Sequence, residues 1–150
     1  MSEDRIEREI TIAAPPENVW AALTEADHLE KWFGSGQAAT VDLRPGGSLV
    51  FDHGSHGELV ARIVTVEQPC RLSYRWSQGA AGEEPDAENS TLVEFTLSRV
   101  PGGTHLSVVE SGFSGLSLPE RVRSTRREQN TAGWDHSLDD LRRLSERLGV

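Results

Sequence analysis

Apolar positions along the chain first alternate, then fall three and four apart, then alternate again until the last twenty residues. Arg5–Ile12 carries Ile6, Ile10 and Ile12 with Thr11 turned outward, the period of a strand buried on one face. Ala13-Ala14-Pro15-Pro16 ends that pattern. Pro16 suits the first turn of a helix, where its missing N–H costs nothing, and Glu17 suits the positive helix end. Val19, Trp20 and Leu23 then make a short apolar stripe, and a second short helix over Ala26–Trp32 delivers Trp32 and Phe33.

The middle of the chain reads as strands joined by turns. Val41–Leu43 is followed by the turn Arg44-Pro45-Gly46-Gly47, and in Ser48–His53 the residues Leu49, Phe51 and His53 share a face. Glu58–Val66 is β-branched on both faces; Arg71–Trp76 points Leu72, Tyr74 and Trp76 one way and Ser73 and Arg75 the other. Ser77–Asn89 has no apolar pattern and reads as a solvated loop. Thr91–Leu97 aligns Val93, Phe95 and Leu97, and Thr104–Glu110 aligns Leu106, Val108 and Glu110. Short turns between strands predict a mostly antiparallel meander of six to seven strands.

Gly133–Leu148 closes the chain with helical spacing. Trp134, Leu138, Leu141, Leu144 and Leu148 form one stripe, while Asp135, Asp139, Arg142, Arg143 and Glu146 read as a solvated face. The expected fold is therefore α+β, one domain over residues 1–150: a curved antiparallel sheet wrapped around a long C-terminal helix, with two short helices after the first strand.

Composition narrows the partners. Lys plus Arg number 15 against 24 Asp plus Glu, so the chain carries −9 and repels phosphate backbones and anionic headgroups. Neither nucleic-acid binding nor membrane insertion is expected. Cys70 is the single cysteine, which excludes an intrachain disulfide. The charged start MSEDRIEREI lacks an apolar signal core, so a cytoplasmic location is expected.

Several segments together resemble the START-like, or SRPBCC, superfamily with its helix-grip fold, known also from Bet v-like proteins. Within it they resemble the branch of the heat-shock-protein-90 ATPase activator homologue. The matching pieces are Ala14-Pro15-Pro16-Glu17-Asn18-Val19-Trp20, Trp32-Phe33-Gly34 and Val41-Asp42-Leu43-Arg44-Pro45-Gly46-Gly47. They continue with Glu110-Ser111-Gly112-Phe113 and with Gly133-Trp134 followed by Leu138 and Leu141. They stand in the family's order and span nearly the whole chain. The resemblance implies a cavity for apolar ligands between sheet and terminal helix. It implies less about activity, because relatives include lipid carriers, aromatic cyclases, hydrolases and chaperone regulators. The eukaryotic activators carry an added N-terminal domain, whereas this chain starts at the first strand, so co-chaperone activity is not the first expectation.

The candidate ligand-binding residues are Trp32, Phe33, Phe51, His53, Tyr74, Trp76, Phe95, Glu110, Phe113, Trp134 and Leu138. The aromatic members either line a cavity or simply fill the core; Tyr and Trp add polar handles to an apolar wall. Phe33 and Phe113, each beside a Gly, are candidates for a gate. His53 and Glu110 are sharper signals, since each lies in register with apolar neighbours, and a buried carboxylate is costly unless paired. Either they enter the interior, or each sits at a strand end that meets water. His53 and His56 with Glu58 lack a convincing third and fourth metal ligand. Arg121, Arg123, Arg126 and Arg127 form the one basic cluster, expected in a loop or short helix and read chiefly as pairing with Glu120, Glu128 and the acidic surface. The other reading is an anionic ligand group held at the cavity mouth.

Three readings stay open. In the first the domain binds a small hydrophobic or amphipathic molecule, a lipid or an aromatic, without catalytic residue, metal or cofactor. In the second it is a cyclase- or dehydratase-type enzyme using His53 and Glu110 as acid and base. In the third it is a chaperone-regulating or protein-interaction module. A homodimer is compatible with any of them.

Overall fold

A computed structural model of the chain describes residues 5–32, 38–52, 58–77, 84–86 and 88–148. Seven strands form one antiparallel sheet: β1 (Arg5–Ile12), β2 (Ala38–Val41), β3 (Ser48–Asp52), β4 (Glu58–Glu67), β5 (Arg71–Ser77), β6 (Ser90–Val100) and β7 (Gly103–Ser111). Their order is β1-β7-β6-β5-β4-β3-β2, so the last six make a meander and the first strand returns to its far edge. The excursion between β1 and β2 holds the two short helices, α1 (Pro16–Thr24) and α2 (Ala26–Trp32). Pro15 is the extended residue before α1 and Pro16 opens it, as the Pro-Pro pair predicts.

The sheet bends where β4 changes register between Ile63 and Thr65. There the Ile63 carbonyl accepts the Gly46 N–H and the Ile63 N–H bonds to the Gly47 carbonyl, both at 2.8 Å. The Arg44–Gly47 turn therefore doubles as an edge cover for β4. At the β6–β7 hairpin Gly103 packs so tightly on β1 that a Cβ there would lie 1.9 Å from the Ile12 carbonyl oxygen.

The closing helix, α3, spans Glu120–Arg147, 28 residues, and so begins well before the Gly133 start that hydrophobic spacing indicates. Its first turns follow the same inward stripe in polar form, through Arg126 and Asn130, which apolar periodicity does not mark. Gly133 does not break the helix, because its backbone is held on both sides and it faces open space. The basic cluster is thus helical. Arg123 donates to the Leu118 carbonyl (2.8 Å) and Arg127 to the Arg5 carbonyl (3.1 Å), rather than pairing with Glu120 and Glu128.

The outer face of α3 is also more than a solvated surface. Asp135 accepts a hydrogen bond from Arg8 of β1 at 2.7 Å, and Glu146 accepts the Ala13 N–H at 2.9 Å. At the end of the chain Asn18 of α1 donates to the Leu148 carbonyl at 2.6 Å. These contacts hold the helix along β1 and α1, while its inner stripe of Trp134, Leu138, Leu141 and Leu144 is buried. Burial of each such side chain contributes roughly 1.5–3 kcal/mol before ordering costs. The core lies between this stripe, the inner face of the sheet (Leu49, Phe51, Ile63, Leu72, Val93, Phe95, Leu106 and Val108) and Trp20, Leu23, Leu29 and Trp32 of the short helices.

Candidate functional site

Antiparallel register places residues directly opposite one another on the same face. Following the partners across the sheet, Ile63, Tyr74, Val93, Glu110 and Ile6 form one unbroken row over β4, β5, β6, β7 and β1. Trp76 of β5 and Thr91 of β6 face each other in the adjacent row. Above them α3 presents Asn130, Trp134 and Leu138, each four residues from the next and so one above another on the helix. The period-two strand pattern and the helical stripe thus converge on one point, Glu110.

Glu110 is 0 % exposed. Its carboxylate oxygens are met by donors from three elements. Oε1 accepts the Trp134 indole N–H at 2.9 Å. Oε2 accepts the Trp76 indole N–H at 2.7 Å and the Thr91 hydroxyl at 2.5 Å. The Asn130 amide donates to both oxygens, at 3.3 and 3.1 Å. Indole and amide N–H groups can only donate, so this set of partners is matched to an ionised carboxylate, which only accepts. Four donors compensate the desolvation that would otherwise make such a group intolerable in the interior.

The rings carrying those N–H groups form an aromatic wall. Trp76 and Trp134 lie 5.9 Å apart between centroids, Phe95 meets Trp134 edge-on at 5.7 Å, and Tyr74 meets Trp76 edge-on at 6.0 Å and Phe95 at 6.1 Å. Such tilted and edge-to-face arrangements are the favourable ones for aromatic quadrupoles. Tyr74 is only 4 % exposed. Burial, and secondarily the negative charge of Glu110, push its phenol ionisation far above the ordinary value of 10.0. Among the described residues no hydrogen bond is made by its hydroxyl.

Of the residues singled out from sequence, the geometry joins Tyr74, Trp76, Phe95, Glu110 and Trp134 into this cluster, with Leu138 buried one turn further along α3. Glu110 lies in the interior rather than at a wet strand end. Phe51 is buried on the inner face of β3. Trp32 is buried in the same core, and its indole N–H donates to the Ala22 carbonyl at 2.7 Å, which locks α2 onto α1. Phe113 sits in a single 3-10 turn after β7 and is buried, in contact with the core rather than exposed at a rim. Phe33 and His53 lie outside the described residues, as does His56.

Two members of the cluster carry little signal in the sequence. Thr91 is the second residue of β6 and has the character of an ordinary β-former, and Asn130 lies upstream of the apolar helical stripe. The signal for Asn130 is its spacing of four from Trp134, visible only once the helix is extended back to Glu120. Arg126 continues the same stripe one turn beyond Asn130 and is half-buried.

A seven-stranded antiparallel sheet curved over one long C-terminal helix, with two short helices inserted after the first strand, is the helix-grip fold of START-like SRPBCC proteins. Within that class the chain belongs to the family described as Activator of Hsp90 ATPase homolog 1-like protein, whose model matches residues 13–146. Among solved structures it is similar to protein MLL2253 from Mesorhizobium loti, with a TM-score of 0.78, 26% identity, and 97% of this chain and 99% of that one covered. It is similar also to DynU16, a protein of the dynemicin biosynthetic locus, with a TM-score of 0.73 and 26% identity, covering 96% of this chain and 48% of that one. The Aha1 dimer from Colwellia psychrerythraea shares the fold, with a TM-score of 0.72 at 20% identity and 97% and 98% coverage. No curated protein matches the chain. Among the described residues no helix is long and apolar enough to cross a membrane.

Proposed function

We propose that this domain binds a small amphipathic molecule between the inner face of the sheet and α3, against the wall of Tyr74, Trp76, Phe95 and Trp134. The observation that carries the reading is the Glu110 cluster. A purely structural core of this size has no need of an ionised group at its centre, since apolar residues of similar volume stabilise as well or better. Here the carboxylate orients two indoles and an amide from sheet and helix toward one point, as binding sites orient a few polar groups within an apolar lining.

The same set of donors favours a binding role over acid–base catalysis by Glu110. A general base needs a lone pair aimed at the substrate proton. Both oxygens of Glu110 are occupied by donors of the protein itself. Its role in this reading is to position Trp76, Trp134 and Asn130. The similarity to DynU16, a protein of a biosynthetic locus, is in keeping with a small-molecule ligand.

Native mass spectrometry of protein purified without denaturant, set beside a denaturing spectrum, tests the proposal. A small organic species released only on denaturation is the expected result. Protein that carries no such species and takes up none from a panel of neutral aromatics and lipids would overturn it.

A further inference from the structure

The Tyr74 hydroxyl stands apart from every other polar group of the cluster. Trp76, Thr91, Asn130 and Trp134 all direct donors to Glu110. Tyr74 shares the row of Glu110, is 4 % exposed, and makes no hydrogen bond through its hydroxyl among the described residues. Yet its hydroxyl is not one of the sealed polar atoms left without a partner, which among the described residues are His28 Nδ1 and Ser145 Oγ, so the oxygen remains open to a guest. The neighbouring carboxylate does not partner it, since its lone pairs are taken. The hydroxyl is therefore a donor held ready in an aromatic enclosure.

Two constraints on a guest follow. Tyr74 stays a phenol, because burial and the Glu110 charge both oppose its ionisation, so it offers an O–H rather than an anion. An anionic group brought alongside would meet the Glu110 charge in a low-dielectric surround, where like charges repel far more strongly than in water. On the α3 stripe Arg126 lies one turn before Asn130, which itself donates to Glu110.

We infer that Tyr74 is the anchoring donor of the ligand site, and that the guest it takes presents an uncharged acceptor oxygen, a carbonyl or ether on an aromatic or alicyclic frame, at its buried end. Free carboxylates, fatty acids included, are then poor guests at that position. The inference rests on the ligand-binding reading above and narrows it to a chemical class.

The test uses the intact protein with two fluorescent naphthalenes of similar frame. One is the neutral ketone 6-propionyl-2-(dimethylamino)naphthalene, whose emission moves to longer wavelength when its carbonyl is hydrogen-bonded; the other is 6-(dimethylamino)-2-naphthoate. The wild type should bind the ketone at least about tenfold more tightly than the carboxylate. Tyr74→Phe, which removes only an unpartnered hydroxyl and should fold normally, should bind the ketone about fivefold more weakly, the weight of one neutral hydrogen bond. The bound emission should shift to shorter wavelength in that variant. Equal affinity for the two probes, or a ketone whose affinity and emission are the same in Tyr74→Phe, would overturn the inference while leaving the ligand-binding reading intact. Failure of both probes to bind the wild type would count against that underlying reading instead.

Discussion

Glu110 and Trp134 sit 24 residues apart, on the last strand and the closing helix, and are joined by an indole N–H···Oε1 hydrogen bond of 2.9 Å. This bond and the Asn130 amide tie α3 to the centre of the sheet, while Trp76 and Thr91 tie the same carboxylate to the strands beside it. The join between helix and sheet is therefore polar at its core and apolar on either side.

Replacing Glu110 by Gln keeps the shape but puts an amide NH2 where a donor-facing oxygen stood. At least one of the present donors then loses its acceptor, and the others lose the charge that strengthens them. Hydrogen bonds to a charged group contribute about 1.5–3 kcal/mol each, so a loss of about 3 kcal/mol is expected, read as a lower urea midpoint with an unchanged slope. Trp134→Phe, which retains a ring but drops one donor, should cost less. An E110Q variant as stable as the wild type would show that the cluster contributes nothing to folding.

Tyr74 is the single tyrosine of the chain, so its ionisation can be followed by ultraviolet absorbance without interference from another phenol. Its folded-state value is raised above the unfolded value of about 10. The linked stability is fully present below pH 10 and declines as pH rises beyond it. The native protein should show no tyrosinate at about pH 11 in the absence of denaturant, whereas the same sample in urea should show it near pH 10. Tyrosinate appearing near pH 10 in the native state would mean that the ring is not enclosed.

At the start of α1 Glu17 is exposed, yet its carboxyl is held below its ordinary value, first by a backbone N–H and then by Arg99 at 3.0 Å. A lowered folded-state value gives a contribution that is present above about pH 4.5 and lost as pH falls through the folded value. Glu17→Gln should therefore be slightly less stable than the wild type at about pH 7, and the difference should vanish in melts performed at about pH 3.

Ser145 lies on the buried stripe of α3, 0 % exposed, and its hydroxyl has no hydrogen-bonding partner among the described residues. Ala removes that unmatched group and has the better helix propensity. Ser145→Ala should leave stability unchanged or raise it by about 1 kcal/mol, measured by urea unfolding.

Two glycines should respond in opposite directions. Gly133 is helical with open space where a Cβ would go, so Gly133→Ala should stabilise by about 0.5–1 kcal/mol. At Gly103 a Cβ would fall 1.9 Å from the Ile12 carbonyl oxygen, and backbone must move to admit it. Gly103→Ala should lower the melting temperature markedly. A Gly133→Ala variant that melts lower would argue against a helix continuous through that residue.

Strand positions were legible because one face of each strand is buried and the other wet, which writes a period of two into the chain. The inner faces read at Leu49 and Phe51, at Leu72, Tyr74 and Trp76, and at Leu106, Val108 and Glu110 are the faces that the sheet turns toward α3. The two short helices were legible from Pro16 and from the Ala26–Trp32 pattern for the same reason. The N-terminal half of α3 was not, because its inward positions are Arg126 and Asn130, and polar residues leave no mark on an apolar period.

The amino-acid sequence alone determined which side chains face inward, since local periodicity and burial are properties of neighbouring residues. It therefore marked Glu110 as unusual, a carboxylate on an apolar face. Only the tertiary structure decided that Glu110 is matched by Trp76, Thr91, Asn130 and Trp134 while the Tyr74 hydroxyl is matched by none of the described residues. Those partners come from different strands and from a helix, and the distances between them are set by strand register and by the seating of α3 on β1. Neither is written in any local stretch of the chain.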